Sequence, residues 1–350
     1  MCILLIYGAC FSLWKIPRLI SKLELSAGSG TLRKGTKIFP PFPDHVKIKS
    51  LEKSSRDEDK NMKGAKIAVI GGSGLYEIED AEVVDRIDIT TPFGPPSDEI
   101  TIVRIAEKNV AFLARHGRGH TLLPSEVPYR ANIYALKYIG VRFIIAASVV
   151  GSLKPEIAPC DFVVPDQLID RTKTRNQTFF GDGICGHLDF TEPFCSCLNG
   201  VLSSVIKKEG HRVHNHETYV SIEGPMYSTR AESKLYHDWG GSVVGQSAVP
   251  EAKLAREAEI SYSMVAMSTD FDAWLQDEGP SKGEVVLENV RINTRDFKRY
   301  LPKIVERLDE NRDTPAHHAA ATSILTEPGH MPLETRRRLD LFYQKYWSRL

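Results

Sequence analysis

Several familiar signals are scarce or absent in this chain of 350 residues. Lysine plus arginine equals aspartate plus glutamate, so there is no charge surplus of either sign. That argues against a field built for nucleic acid or for an anionic membrane. The six cysteines, Cys2, Cys10, Cys160, Cys185, Cys195 and Cys197, contain no Cys-x-x-Cys pair, and no histidine pair completes a zinc site. A reduced intracellular protein without a metal is the simplest reading. A strained bridge between Cys195 and Cys197 is the less favoured alternative. No apolar run is long enough to span a bilayer, and no internal repeat is present. Gly-Gly-Ser-Gly at 71–74 fails the dinucleotide fingerprint, because Glu77 stands at the third glycine position. It also fails the P-loop pattern, since no Gly-Lys-Ser/Thr follows.

What is present is ordinary globular composition, 42% hydrophobic and 26% charged. The first 14 residues, MCILLIYGACFSLW, are apolar, with Lys15, Arg18 and Lys22 after them. A signal peptide has the reverse order. Residues 26–64 lack periodicity and read as linker or disorder. Residues 1–64 are therefore expected to be an extension outside the fold, with a targeting or membrane-associating role as the sharper alternative.

From Lys66 onward strands and helices alternate. KIAVI (66–70), TIVRI (101–105), VAFLAR (110–115), VRFIIAASVV (141–150), DFVVPDQLI (161–169), HETYVSI (216–222), GSVVGQ (241–246) and SYSMVAM (261–267) read as strands. Helical spacing appears over 129–139, 201–210, 229–238, 251–259, 284–310 and 333–348. The pattern implies an α/β fold, a mixed central β-sheet flanked by helices on both faces. The expected organisation is an extension over 1–64, one domain over 65–328 and a helical tail over 329–350. The triplet Arg336-Arg337-Arg338 reads as a solvated helix face.

Three stretches carry chemistry. The glycine turn after KIAVI offers backbone N–H groups, and Ser73 a hydroxyl, to an anion. RHGRGHT follows directly on a buried strand, so Arg115 and His116 stand where open α/β sheets place ligands, and two guanidiniums could fork onto phosphate oxygens. Ser148 and Ser247 are hydroxyls at the ends of two further strands. MSTDFDAW (267–274) puts two acids, Asp270 and Asp272, at the end of an apolar strand, and alternation would set them on one face.

GGSGLY, TPFGPPSD (91–98), LARHGRGHT (113–121), GSLKPEIAPCDFVVPDQLIDRT (151–172), IEGPMYSTRAES (222–233), SAVPEAKLAREA (247–258) and MSTDFDAW together resemble the trimeric purine nucleoside phosphorylase superfamily. The resemblance is strongest to its methylthioadenosine phosphorylases and covers roughly residues 65–325. It implies a single phosphorylase domain that cleaves 5'-methylthioadenosine with inorganic phosphate as co-substrate and no cofactor, in methionine and purine salvage. Phosphate would be held by Ser73, Arg115, His116, Ser148 and Ser247, and the purine by Val149, Tyr227, Ser228, Thr269, Asp270 and Asp272. Asp270 and Asp272 would be the catalytic pair. An aspartate at the first acid position favours 6-aminopurines, where relatives acting on 6-oxopurines carry asparagine.

Two residues depart from the pattern. Gln246 replaces the methionine expected under the ribose, and Met226 stands where arginine is common. His187 would reach the 5' pocket of a neighbouring subunit in a homotrimer, and the stretch near His317 would line the same pocket. The implied setting is cytoplasmic, with the nucleus left open. Alternatives are an adenosine or other purine nucleoside phosphorylase of the same fold, or a weakly catalytic nucleoside-binding paralogue.

Overall fold

The computed structural model describes residues 64–72, 82–275 and 282–347. The 1–64 extension thus lies, apart from Gly64, outside the described residues, as does Ser73. The strands are β1 (Ile67–Gly71), β2 (Glu82–Ile87), β3 (Ile100–Ile105), β4 (Lys108–Ala114), β5 (Phe143–Ser152), β6 (Phe162–Arg171), β7 (Val213–Ile222), β8 (Val243–Gly245) and β9 (Ser261–Phe271). The helices are α1 (Tyr129–Tyr138), α2 (Ser196–Lys208), α3 (Arg230–Asp238), α4 (Ala248–Glu257), α5 (Lys282–Arg307) and α6 (Leu333–Trp347).

The strands form one mixed sheet in the order β2-β3-β4-β1-β5-β8-β7-β6-β9, and β9 also pairs with β5. One end of the sheet therefore closes into a ring of β5, β8, β7, β6 and β9. β5 is the hub, parallel to β1 on one side and to β9 on the other. Its sequence explains why. Phe143, Ile145 and Ala147 belong to one apolar cluster with α2 and α5, while Ile144 and Ala146 belong to another with α1, α4 and α6. Both faces are covered by helices, so the strand carries no polar alternation until Ser148.

Three sequence expectations change. The 333–348 helix is no detached tail: Leu339, Phe342, Tyr343, Tyr346 and Trp347 of α6 lie in the larger core cluster. The arginine triplet is not a bare solvated face either. Arg338 donates to Asp182 at 2.6 Å and lies over the Phe93 ring, and Arg336 lies over Trp347. Finally, β9 does not stop at Met267. It runs on through Phe271, and its pairing with β5 shifts register so that Val150 faces Ser268 and Gly151 faces Asp270. Thr269 is the extra residue of a β-bulge, a device that re-aims side chains at a strand end.

Candidate active site

β5, β8 and β9 bring the chemistry together around residues 148–151. Ser148 Oγ lies 3.0 Å from Ser247 Oγ, although the two are 99 positions apart. The Ser247 backbone N–H donates to the hydroxyl of Tyr219 at 3.3 Å, which anchors the hydroxyl pair from below. Tyr219 is fully buried, and burial pushes its phenol up, so it stays a neutral hydroxyl. Gly245 leaves the room: a Cβ there would fall 2.1 Å from the Tyr219 oxygen.

Arg115 follows β4, and its backbone N–H donates to Gly71 O at 3.0 Å, which fixes it beside the start of the glycine loop. Its side chain is 1% exposed. The guanidinium grips Glu251 of α4 through Nε and Nη2, the latter at 3.0 Å. Nη1 donates to Ala147 O at 3.0 Å, and Nη2 also donates to Ile70 O at 3.3 Å. A guanidinium has five N–H groups, so a single Nη1–H is left over. Burial opposes the charge, but Glu251 outweighs it and raises the Arg115 pKa. Tyr262 completes the cluster by donating to Glu251 at 3.0 Å. The second guanidinium does not converge: Arg118 is 70% exposed and 3.8 Å from Asp98. The fork of two arginines expected from RHGRGHT is therefore replaced by one pinned arginine neutralised by Glu251.

His116 is buried beside Arg115. Its Nδ1 lies 2.9 Å from Leu122 O, and its ring stacks on His120 with centroids 4.4 Å apart. Burial, then the Arg115 charge, push its pKa down to about 4. The ring is neutral near pH 7. A carbonyl only accepts, so Nδ1 carries the proton and Nε2 offers a lone pair.

The acids flank one glycine. Asp270 faces Gly151 in the ladder and accepts from Thr269 Oγ1 at 2.8 Å. Asp272 is buried, with its N–H on Ser152 O at 2.9 Å. A Cβ on Gly151 would sit 3.3 Å from Asp272 Cβ and 3.4 Å from Oδ1. The bulge at Thr269 sets Asp270 opposite Gly151, and the two-residue spacing on to Asp272 is left intact. Their backbone is held from behind by α5, where Asn289 donates to Thr269 O at 2.7 Å and Asn293 to Ser268 O at 2.8 Å.

Val149, the residue between the hydroxyl pair and the acids, is 41% exposed. Tyr227 is 84% exposed, and its neighbour Met226 is also open to solvent. Ser228 Oγ is buried with no hydrogen-bond partner among the described residues. The Gln246 side chain abuts Gly224, where a Cβ would lie 2.3 Å from Oε1. The Gln246 carbonyl accepts from Arg175 at 2.7 Å. Arg175 also donates to Ile222 O, Glu223 O and Val249 O, and so ties the ends of β7 and β8 together.

His187 stands exposed on a lip of its own. Gly186 bridges to Ile324, and the His187 N–H donates to Ser323 O at 2.8 Å. His317, by contrast, is buried at the opposite end of β5 and β9. It bonds Arg142 O at 3.1 Å and Ser261 Oγ at 3.2 Å, and packs edge-on to Phe143. Within the chain, the stretch that packs against the His187 segment is 323–326.

Glu251, Tyr262, Tyr219 and Arg175 were not foreseen. Glu251 had a signal, as a lone acid four residues after Ser247 in the apolar run AVPEAKLA. Among the described residues no group of three or more His, Cys, Asp or Glu could hold a metal ion, and Cys195 and Cys197 are free thiols.

Residues 66–306 match the family described as the phosphorylase superfamily. The chain belongs to the phosphorylase superfamily. Among similar members, the S-methyl-5'-thioadenosine phosphorylase of Synechocystis is 47% identical over 294 residues, 83% of this chain and 90% of that protein. A methylthioadenosine phosphorylase from an antarctic soil metagenomic library superposes with a TM-score of 0.77 at 41% identity, covering 80% of this chain and 99% of the other. The methylthioadenosine phosphorylase of Schistosoma mansoni, solved with adenine, gives 0.69 at 34% identity, with 73% and 96% covered. For a superfamily member, the mixed sheet with helices on both faces is the expected architecture, and Arg115, the hydroxyl pair and the two acids stand at its strand ends.

Proposed function

We propose that the chain cleaves 5'-methylthioadenosine with inorganic phosphate, giving adenine and 5-methylthioribose 1-phosphate. The observation that carries this reading is the placement of two unlike subsites only a few residues apart along β5. The paired hydroxyls of Ser148 and Ser247, with Arg115 and His116, suit a tetrahedral oxyanion. The acids at Gly151 suit a 6-aminopurine, whose exocyclic NH₂ donates to a carboxylate. Ser73 would add a further donor on the phosphate side. The names of the relatives from Synechocystis, soil and Schistosoma support the substrate.

In this mechanism a phosphate oxygen forms the bond to C1' as the bond from C1' to N9 breaks and its electron pair passes to the base. A protonated carboxyl at 270 or 272 passes its proton to N7 as that electron pair reaches the base, so adenine leaves neutral and the acid is left as a carboxylate. The remaining work is positioning and charge stabilisation of a cationic ribosyl transition state, which asks for no metal or organic cofactor. Val149, Tyr227, Ser228 and Gln246 would surround the nucleoside. The exposed lip of His187, with Leu325 beside it, suits a role in closing the 5' pocket of a neighbouring subunit in a homotrimer. The reaction would serve methionine and purine salvage.

The test is adenine release from methylthioadenosine, adenosine and inosine, each with and without phosphate. Adenine should appear from methylthioadenosine only when phosphate is present. Inosine should react about 10⁴-fold less well if the acids are desolvated by the base. Comparable cleavage of inosine would refute the role given to Asp270.

A further inference from the structure

The Arg115 charge is already spent on Glu251, both side chains being 1% exposed, so this pair brings no net positive charge to a phosphate dianion. His116 brings none either. Its Nδ1–H is committed to Leu122 O, and Nε2 can only accept. Arg115, His120 and Arg175 are the charged or titratable groups that act on the ring, and each of them, if cationic, opposes its protonation. A dianion placed against an imidazole lone pair is repelled; a P–OH, or an imidazolium facing P–O⁻, is a charge-assisted hydrogen bond.

We infer that inorganic phosphate enters this site with one more proton than the free dianion carries, held between a phosphate oxygen and His116 Nε2. The inference rests on the phosphate role proposed above and adds its regulation by pH. The balance is the same whichever partner owns the proton: dianion, proton and neutral site give either monoanion with imidazole or dianion with imidazolium. Arg115, with one N–H to offer, then acts as an orienting donor rather than as the neutralising charge.

Isothermal titration of the full chain with inorganic phosphate, at pH 8.5 in buffers of different ionisation enthalpy, counts the proton directly. About one proton should be taken up per phosphate bound. The KM for phosphate should rise about tenfold per pH unit above pH 8. In His116→Gln, whose amide can donate, uptake should fall towards zero and the pH slope should flatten. Phosphate bound by the unaltered chain with no proton uptake overturns the inference while leaving the phosphate site standing. Undiminished uptake in His116→Gln overturns the assignment to Nε2. Absence of phosphate-dependent adenine release overturns the underlying reading and this inference with it. The unaltered chain decides the first point even if His116→Gln does not fold.

Discussion

Replacing Glu251 with glutamine keeps the volume of a side chain that is 1% exposed and removes one buried charge. The carboxylate now accepts from Arg115 Nε, from Arg115 Nη2 and from the Tyr262 hydroxyl. A glutamine oxygen can serve one side of the guanidinium, but its NH₂ then confronts an N–H or the tyrosine O–H, and Arg115 is left charged in the core. Removing one member of a buried pair costs about 3–5 kcal/mol, and the retained oxygen sets the expectation near the lower figure. For a domain of this size, about 3 kcal/mol lowers the melting temperature by roughly 6–12 °C. Urea unfolding of Glu251→Gln against the unaltered chain measures the loss. A change below about 1 kcal/mol would show that Arg115 finds its compensation elsewhere. A second readout separates position from stability: with Glu251 neutral, the site carries the arginine's charge, so phosphate binding should draw less proton uptake.

Gly151→Ala should press a methyl against Asp272 at 3.3–3.4 Å and cut kcat/KM for methylthioadenosine roughly tenfold to a hundredfold, while thermal unfolding moves little; unchanged kinetics would place Asp272 outside the reaction. Asp270→Asn should lose most activity on methylthioadenosine in the same assay, and full retention would overturn its assignment to the base. His116 makes stability depend on pH. Its native pKa of about 4 lies below the ordinary 6.5, so the unfolded chain takes the proton first. Stability is full above about pH 7, is lost as pH falls from 6.5 towards 4, and levels off below that, with a ceiling of roughly 3 kcal/mol; His116→Gln should flatten this part of a urea-midpoint-against-pH curve. Asn293→Ala removes a donor from Ser268 O at 2.8 Å in the core and should cost about 1–3 kcal/mol by the same unfolding measurement.

The strands were legible because β5 and its neighbours are buried on both faces, and burial on both faces leaves a continuous apolar run in the sequence. Arg115 and Ser247 stand out in the sequence because each follows an apolar run, and Ser148 because it interrupts one. Partnership across the chain was not. Glu251 meets Arg115 across 136 positions, and nothing in AVPEAKLA says whether the acid faces solvent or an arginine. His317 shows the same gap from the other side: nothing in its surrounding letters tells that the ring bonds Arg142 O and Ser261 Oγ, at the start of β5 and β9. The bulge at Thr269 is the sharpest case. The bulge lies before both acids: it shifts the β5 partner of Asp270 by one residue and leaves the two-residue spacing from Asp270 to Asp272 intact. Asp270 pairs with Gly151 through the ladder, and the absence of a Cβ at 151 leaves room for the Asp272 side chain beside it. The fit there depends on backbone pairing as well as on the acids, which is why a single methyl at Gly151, 3.4 Å from Asp272 Oδ1, should disturb the base side without replacing either acid.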